Sequence, residues 1–230
     1  MRKSHSPVYL LFCLLLLLSL APFLLSCPDD DDDDDQLSSE IWPLAVGNTW
    51  THTLTYQGNE MGTALWTVSK TETVNGVEVY QVDFVFQSSV ALQGVCPDAL
   101  SSIKNSGRER NPLTRRFAVD EYALWKNHAD GLYEYGLSSG SNLEIYETPK
   151  LVIKYPVSAG ETFEDGWSDS WSVISTSTTV DVPAGSFDCH HYQNTYNAAM
   201  NKYVKPDTGY IKSSDTENNL ESVLTSYSLP

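Results

Sequence analysis

Two short stretches of the sequence carry the side chains that nucleophilic or metal chemistry would need. The first, Gly136-Leu-Ser138-Ser-Gly140, matches the Gly-x-Ser-x-Gly pattern of a nucleophile elbow, and His190 and His191 follow it as candidate bases. An elbow requires a strand that turns directly into a helix, whereas the residues after Gly140 have the pattern of a loop and a strand. The sequence therefore keeps an esterase that uses Ser138 only as the third of three functional hypotheses.

The second stretch is Cys189-His190-His191, whose side chains are metal ligands by type. Successive residues of a β-strand point to opposite faces, so the two histidines cannot bind one ion together. Asp207 and the acidic residues from Asp215 to Glu221 lack the glycine turn of a calcium loop. We therefore predict no metal and no cofactor.

Four cysteines are present, and Cys13 and Cys27 lie in the N-terminal targeting segment. Cys96 and Cys189 remain for the domain, where the oxidising compartment of an exported protein permits them to pair. We hypothesise a Cys96–Cys189 disulfide. Two separately buried thiols are the alternative.

Two other groups of residues could contact a partner. Trp125, Trp167 and Trp171 could line a ligand cavity or stack on sugars, although aromatic residues of strands mostly pack in a core. Five basic residues lie close together and form either a solvated loop or a contact for phospholipid, lipopolysaccharide or an acidic partner. They are Lys104, Arg108, Arg110, Arg115 and Arg116.

Residues 1–26 are predicted to be a lipoprotein signal peptide. Arg2 and Lys3 precede an apolar run from Leu10 to Leu25. This run is too short and ends too abruptly for a typical transmembrane helix. The run ends in Leu24-Leu25-Ser26-Cys27, which resembles the bacterial lipobox. This resemblance implies that Cys27 is lipidated and becomes the mature N-terminus. A cleaved peptide without lipid and an uncleaved anchor are the alternatives.

Residues 27–36 are the predicted tether, in which Pro28 is followed by consecutive acidic residues from Asp29 to Asp35. Self-repulsion keeps such a run extended, so it is a spacer between the lipid and the domain. Acidic residues here also resemble the surface-export signals of lipoproteins in some Gram-negative lineages. The third alternative is a segment that binds divalent cations without a fixed geometry. The expected location is the cell envelope, with a lipid anchor in the outer membrane and the domain on its periplasmic or its surface side.

The composition is that of a folded, acidic domain. The 230 residues are 41% hydrophobic and 11% aromatic, which excludes a disordered chain, a collagen and a coiled coil. The formal net charge of −16 argues against nucleic acid as a partner, because phosphate contacts need clustered Lys and Arg over a broad face.

Residues 37–230 are predicted to form one mainly β domain, a single curved antiparallel sheet or incomplete β-barrel with few short helices. Asn75-Gly76 between two β-rich runs predicts a two-residue hairpin turn, and pairing outward from it places Trp66 and Val79 on the same face. A second hairpin is expected at 122–135. Further strands are expected at 143–155, 171–182, 187–196, 202–205, 209–213 and 220–229, and one short helix at 98–105.

Two stretches of the chain follow the same strand plan. The segment PLAVGNTW, which ends at Trp50, precedes Trp66 and a turn at Gly76, and PVSAGETF precedes Trp171 and a turn at Gly185. The order is kept while the spacings differ, which indicates an internal duplication with loops of changed length. Coincidence in a chain rich in Ser, Thr and Val is the alternative.

Three segments carry a resemblance to a family of exported bacterial β-proteins of unknown function. They are Trp42-Pro-Leu-Ala-Val-Gly-Asn-Thr-Trp-Thr51, Val182-Pro-Ala-Gly-Ser-Phe-Asp-Cys189 and Gly209-Tyr-Ile-Lys212. In that family a PLxxGNxW segment, a VPAGxFxC hairpin and a GxxK strand recur in this order. The resemblance implies an incompletely closed antiparallel barrel similar to the lipoprotein-carrier (Lol) and pilus-accessory folds, and it implies no activity.

The leading functional hypothesis is a non-enzymatic, membrane-anchored lipoprotein that binds a lipid or other apolar ligand, by analogy of fold. The alternative is a surface-exposed carbohydrate- or protein-binding module. A flat exposed patch would favour the module, and side chains lining a cavity would favour the apolar ligand.

Overall fold

The computed structural model describes residues 40–88, 121–140 and 142–229, and these residues form strands, turns and loops without a helix. The strands are β1 (Thr49–Tyr56), β2 (Asn59–Val74), β3 (Val77–Ser88), β4 (Glu121–His128), β5 (Gly131–Ser139), β6 (Asn142–Lys154), β7 (Thr162–Glu164), β8 (Ser170–Val182), β9 (Gly185–Asn194), β10 (Met200–Lys205), β11 (Gly209–Asp215) and β12 (Leu220–Ser228). The helix expected at 98–105 lies outside the described residues. Among those described, no helix is long and apolar enough to span a membrane.

All twelve strands belong to one antiparallel sheet with the order β6-β5-β4-β3-β2-β1-β12-β11-β10-β9-β8-β7. The chain thus makes two six-stranded meanders that join where β1 pairs with β12. The two ends of the order approach each other, because Gly166 N donates to Leu151 O at 2.8 Å and Lys154 forms an ion pair with Glu161. The result is the predicted incomplete barrel, nearly closed with one open seam between β6 and β7.

The predicted Asn75-Gly76 turn is confirmed, but the predicted faces of its hairpin are wrong. Both turn residues have positive φ, 51° and 81°, as a two-residue hairpin turn of this type requires. A β-bulge at Ser69 then shifts the register by one residue, so Trp66 lies opposite Phe84. Because a one-residue shift exchanges the faces, Trp66 points into the barrel while Val79 points outward.

The remaining strand predictions agree with the structure to within a few residues. The second hairpin turns between His128 and Gly131, which are paired, and the segments expected between 143 and 229 correspond to β6 and β8 to β12. Two bulges bend β8, and Ala184 at the tip of the β8–β9 hairpin donates from its N to Leu224 O at 3.3 Å. Since Leu224 is on β12, the tip of this hairpin reaches across the sheet to a strand that is not its neighbour in the sheet order.

Tryptophan side chains fill the described interior of the barrel. The ring of Trp42 stacks on Trp66 with a centroid separation of 5.1 Å and meets Trp50, Trp125 and Tyr210 edge-on at 5.0 to 5.2 Å. All five side chains are buried. Large aromatic rings in edge and stacked contact bury much apolar surface, so this cluster is the centre of the core.

The repeated strand plan appears in the structure as repeated backbone geometry. Gly47 N donates to Val68 O at 2.8 Å, and at the matching place in the second half Gly160 N donates to Val173 O at 2.7 Å. Both glycines have positive φ, 98° and 84°. The matched aromatic residues are also paired alike, because Trp50 lies opposite Trp66 and Phe163 lies opposite Trp171. This agreement supports the internal duplication.

Candidate functional site

A groove of about 310 Å³ lies on the outer face of the sheet between the β2–β3 turn and β6. We call it the outer groove. Its lining combines aliphatic, amide, hydroxyl and carboxylate groups in Glu72, Thr73, Val74, Asn75, Gln81, Tyr122, Leu124, Leu143 and Ile145. Concave sites with an apolar floor and a few polar groups are the usual form of a binding site.

The β2–β3 turn forms one wall of the outer groove. Val74 precedes Asn75 and packs in a small outer cluster with Val79, Leu124 and Tyr135, all of them buried. The bulge at Ser69 creates this cluster, since it turns the end of the hairpin outward while Trp66 remains in the core. The wall is therefore held by packing as well as by the turn.

The floor depends on a glycine. Leu124 of β4 is paired with Gly136 of β5, and Gly136 with Ile145 of β6, so the three lie in one row across the sheet. A Cβ atom at Gly136 would lie 2.6 Å from Glu144 O and 2.9 Å from Ile145 Cδ1. Glycine is thus the residue that lets β6 lie close to β5 beneath the groove.

Polar groups at the groove are ordered by their neighbours. Gln81 Nε2 donates to Asp83 Oδ1 at 2.6 Å, and Lys70 pairs with Glu72. The Glu72 carboxylate raises the pKa of Lys70, mainly through this hydrogen bond. Glu72 supplies the carboxylate of the groove lining, and Asp83 lies beside the lining residue Gln81.

Two tyrosines of β5 continue the outer face beyond the groove. The hydroxyl of Tyr135 is hydrogen-bonded to His128 Nε2 at 2.9 Å. The hydroxyl of Tyr133 donates a hydrogen bond to Asp130 Oδ2 at 2.9 Å. Burial raises the pKa of Tyr135, and burial together with the Asp130 carboxylate raises the pKa of Tyr133 to about 12. Both phenols therefore stay protonated at physiological pH.

The structure places Ser138 within a strand. It lies on β5 between Tyr122 and Leu143, its side chain is buried, and its Oγ donates to Gly140 O at 3.3 Å. No described helix follows it, and His128 of the neighbouring strand is six positions beyond Tyr122, roughly 20 Å along the strand. Gly136, the first glycine of the apparent elbow, serves instead as the floor of the outer groove.

The two candidate histidine ligands lie on opposite faces of β9, as expected for adjacent strand residues. The ring of His190 meets the ring of Tyr155 edge-on, with a centroid separation of 5.4 Å. The ring of His191 stacks on that of Tyr203, with a centroid separation of 4.4 Å. Burial lowers the pKa of His190, helped by the nearby Lys205 charge. In the described part of the chain, no three His, Cys, Asp or Glu side chains are grouped closely enough to hold a metal ion.

Several predicted sites lie outside the described residues. They are the signal peptide, the lipidated Cys27, the acidic tether, Cys96 and the basic cluster of Lys104, Arg108, Arg110, Arg115 and Arg116. The other half of the hypothesised disulfide, Cys189, is buried on β9, and burial raises the pKa of its thiol to about 12. The lipidation and the disulfide stay predictions.

The three candidate ligand-binding tryptophans belong to the core. Trp125 and Trp171 are fully buried, and their indole N–H groups donate to Glu134 and Asp165 at 3.1 Å. Trp167 is partly buried and packs against the same core. The sequence analysis expected aromatic residues of strands to pack in a core, and these three do so. Because they are buried or partly buried, none of the three forms an exposed platform for a sugar.

Sequence reasoning missed two titratable residues inside the barrel. Lys202 Nζ lies 3.7 Å from the ring centroid of Trp171, and burial lowers its pKa to about 8 against the opposing effect of Asp165 and Asp169. His52 stacks on Trp66 at 5.1 Å, and burial lowers its pKa to about 3. Strand alternation could have indicated that both point inward, since each lies two residues from a buried aromatic or aliphatic neighbour.

No protein-family model matches the chain, and no curated protein matches it. Among solved structures, the chain is similar to a protein of Bacteroides fragilis described as exported and as having a YmcC-like fold, with 12% identity, 83% of this chain and 100% of that chain covered, and a TM-score of 0.45. It is also similar to a protein of Parabacteroides distasonis described as a lipoprotein, with 12% identity, 83% and 99% covered, and a TM-score of 0.39. Neither likeness is close enough to support an argument about function.

Proposed function

We propose that the protein is a non-enzymatic, lipid-anchored module of the cell envelope that binds a protein partner through the outer groove. The observation that carries this proposal is the exposed aliphatic wall of the groove. Leu143 and Ile145 on β6 are 44% and 40% exposed beside the polar groups of the turn. Exposed apolar side chains rimmed by polar ones are typical of surfaces that bind proteins.

The filled interior favours a surface site over an enclosed apolar ligand. Trp42 and the four rings around it occupy the described centre of the barrel at contact distances. A lipid chain needs a continuous apolar cavity, and a close-packed aromatic cluster leaves no room for one at that level.

The exposed side chains also favour a protein over a carbohydrate. Sugars stack on exposed aromatic rings, and the described tryptophans are buried or partly buried. The large apolar side chains exposed on the described surface are mostly aliphatic: Val46, Val85, Leu143, Ile145 and Ile174, with Tyr196 and Tyr227.

The anchoring half of the proposal is supported by the order of signals in the first 27 residues. A basic start, an apolar run and a small residue before Cys27 are the sequence that lipidation requires. The seven aspartates after it would hold the binding surface away from the membrane, where a partner can reach it.

In-cell photo-crosslinking tests the groove. A p-benzoylphenylalanine placed at Leu143 should yield a discrete protein adduct, and the same group at the exposed Ile174 of β8 should not. Adding Ile145→Lys to the Leu143 reporter should abolish the adduct, because a charge would replace the aliphatic wall.

Other outcomes identify other functions. A saccharide adduct at Leu143 would replace the protein partner with a glycan. A lipid that co-purifies with the protein in native mass spectrometry, together with no adduct specific to Leu143, would return the function to an enclosed apolar ligand and overturn the proposal.

A further inference from the structure

The volume of the outer groove limits what a partner can place in it. The groove encloses about 310 Å³. A cavity of about 150 Å³ holds one benzene molecule, so the groove has room for about two fused aromatic rings. An α-helix is about 10 to 12 Å across with its side chains and is too large for this space. The groove therefore accepts one large side chain of the partner.

The apolar part of the lining suits an aromatic ring. Val74 and Leu124 are buried in the outer cluster, whereas Leu143 and Ile145 are exposed. These aliphatic side chains come from three strands, β2, β4 and β6, so they meet a bound group from different sides. An aromatic side chain buries about 150 to 250 Å² of surface, and a ring in the groove would cover the exposed part of Leu143 and Ile145.

The polar part of the lining offers a hydrogen-bond acceptor. Lys70 contacts the Glu72 carboxylate through Oε1, and a carboxylate has two acceptor oxygens, so Oε2 can accept a further hydrogen bond. Glu72 is partly exposed and lines the groove beside Thr73 and Asn75. Phenylalanine has no donor and tyrosine has a single ring, whereas tryptophan has two fused rings and an N–H that only donates. Tryptophan thus combines the required size with a donor.

We propose that the partner places one tryptophan side chain in the outer groove, with the ring against Leu143 and Ile145 and the indole N–H donated to Glu72 Oε2. This rests on the proposed function, because the outer groove is the binding surface there. Tryptophan is among the residues that contribute most to the affinity of protein interfaces, and it does so where it fills a well-packed pocket.

The tryptophan belongs to a different protein and not to a second copy of this chain. The most exposed large apolar side chain on the described surface is Tyr196, at 76%. A second copy would therefore bring a tyrosine to the groove, because all six tryptophans of the chain are buried or partly buried against the core. They are Trp42, Trp50, Trp66, Trp125, Trp167 and Trp171.

A titration of the full-length protein in detergent tests this assignment. The probe is acetyl-Gly-Ser-Trp-Ser-Gly-amide, and the readout is the NMR signals of the leucine and isoleucine methyl groups. The ring of the bound tryptophan should shift the methyl signals of Leu143 and Ile145, while those of the exposed Ile174 of β8 should stay unchanged. A peptide with leucine in place of tryptophan should bind at least about tenfold more weakly, because it buries less apolar surface.

Two further changes isolate the hydrogen bond. 3-Benzothienylalanine has two fused rings of nearly the same size with sulfur in place of the N–H, and its peptide should bind about five- to tenfold more weakly. In Glu72→Ala the tryptophan peptide should weaken by a similar factor, and the difference between the two peptides should vanish. Glu164→Ala, which changes an exposed glutamate of β7, is the matched control and should preserve the difference.

Three outcomes would overturn the tryptophan assignment: unshifted methyl signals of Leu143 and Ile145, equal affinity of the tryptophan and benzothienylalanine peptides, or tighter binding of a peptide that carries tyrosine. If any of these occurs while the Leu143 photo-adduct persists, the outer groove still binds a protein through another side chain. If the adduct is absent as well, the proposed function fails with it.

Discussion

His52 makes the folded protein sensitive to acid. Burial against Trp66 lowers its pKa to about 3, whereas the unfolded chain accepts the proton near pH 6.5. The stability associated with the neutral imidazole is therefore complete above pH 6.5 and is lost as the pH falls toward 3. The loss amounts to about 2 kcal/mol by pH 5.

We expect His52→Leu to remove this part of the acid dependence. Urea unfolding at several pH values between 4 and 7.5 measures it, with His128→Leu as the control for removing an imidazole from the exposed end of β4. An unchanged slope of stability against pH in His52→Leu would contradict a buried neutral histidine.

Lys202 acts at the other end of the pH range. Its folded pKa of about 8 lies below the unfolded value near 10.4, so the buried ammonium destabilises the protein below pH 8. Lys202→Met keeps the length of the side chain without the charge, and we expect it to stabilise the protein by about 2 kcal/mol at pH 7. The cation–π contact with Trp171 offsets part of the gain.

The advantage of Lys202→Met should shrink as the pH rises from 8 toward 10. Comparing variant with wild type at each pH is necessary, because burial also raises the pKa values of Cys189 and Tyr192, which removes stability from both proteins as those groups ionise in the unfolded chain. A variant that is less stable than wild type at pH 7 would mean that the charge of Lys202 holds the core together.

At the scale of the strand pair, Gly136 tests whether the outer groove depends on the close approach of β5 and β6. Gly136→Ala puts a methyl group within 2.6 Å of Glu144 O, so β6 must move. We expect a loss of about 1 to 3 kcal/mol in urea unfolding and a weaker photo-adduct at Leu143. Ser139→Ala on the same strand is the control, and an equal effect of both changes would remove the special role of the glycine.

The bulge at Ser69 shows where sequence patterns stop determining the sheet. The Asn75-Gly76 turn has a local signature, and its position followed from two residues. A bulge inserts one residue with no comparable signature, so the pattern around Ser69 is compatible with either register. Packing chose the register that buries Trp66 next to Trp42 and leaves Val79 outside.

The outer groove could not be predicted for a related reason. Its lining comes from the tip of one hairpin and from Leu143 and Ile145 of another, which are about seventy positions apart in the chain. The sequence did mark Gly136 and Ser138 together as an elbow, and the structure shows that the glycine serves the contact between strands. The sequence pattern therefore identified the right segment of the chain. The role of Gly136 depends on its neighbour in β6, which the pattern does not specify.

At the scale of the whole barrel, the seam should be the least stable part of the sheet. β1 is held on both sides, by β2 and by β12, whereas β7 pairs with β8 over three residues and reaches β6 through the Gly166 to Leu151 bond. Opening the seam therefore breaks few hydrogen bonds and exposes little of the Trp42 cluster, while separating β1 from β12 would expose the core.

Native-state hydrogen exchange measures this difference. Amides of Thr162–Glu164 should exchange at least about tenfold faster than those of Thr49–Tyr56, because local opening suffices at the seam and near-global unfolding is needed at the β1–β12 junction. A disulfide engineered across the seam should slow the first group and leave the second unchanged. Equal protection of both groups would mean that the barrel opens as one cooperative unit.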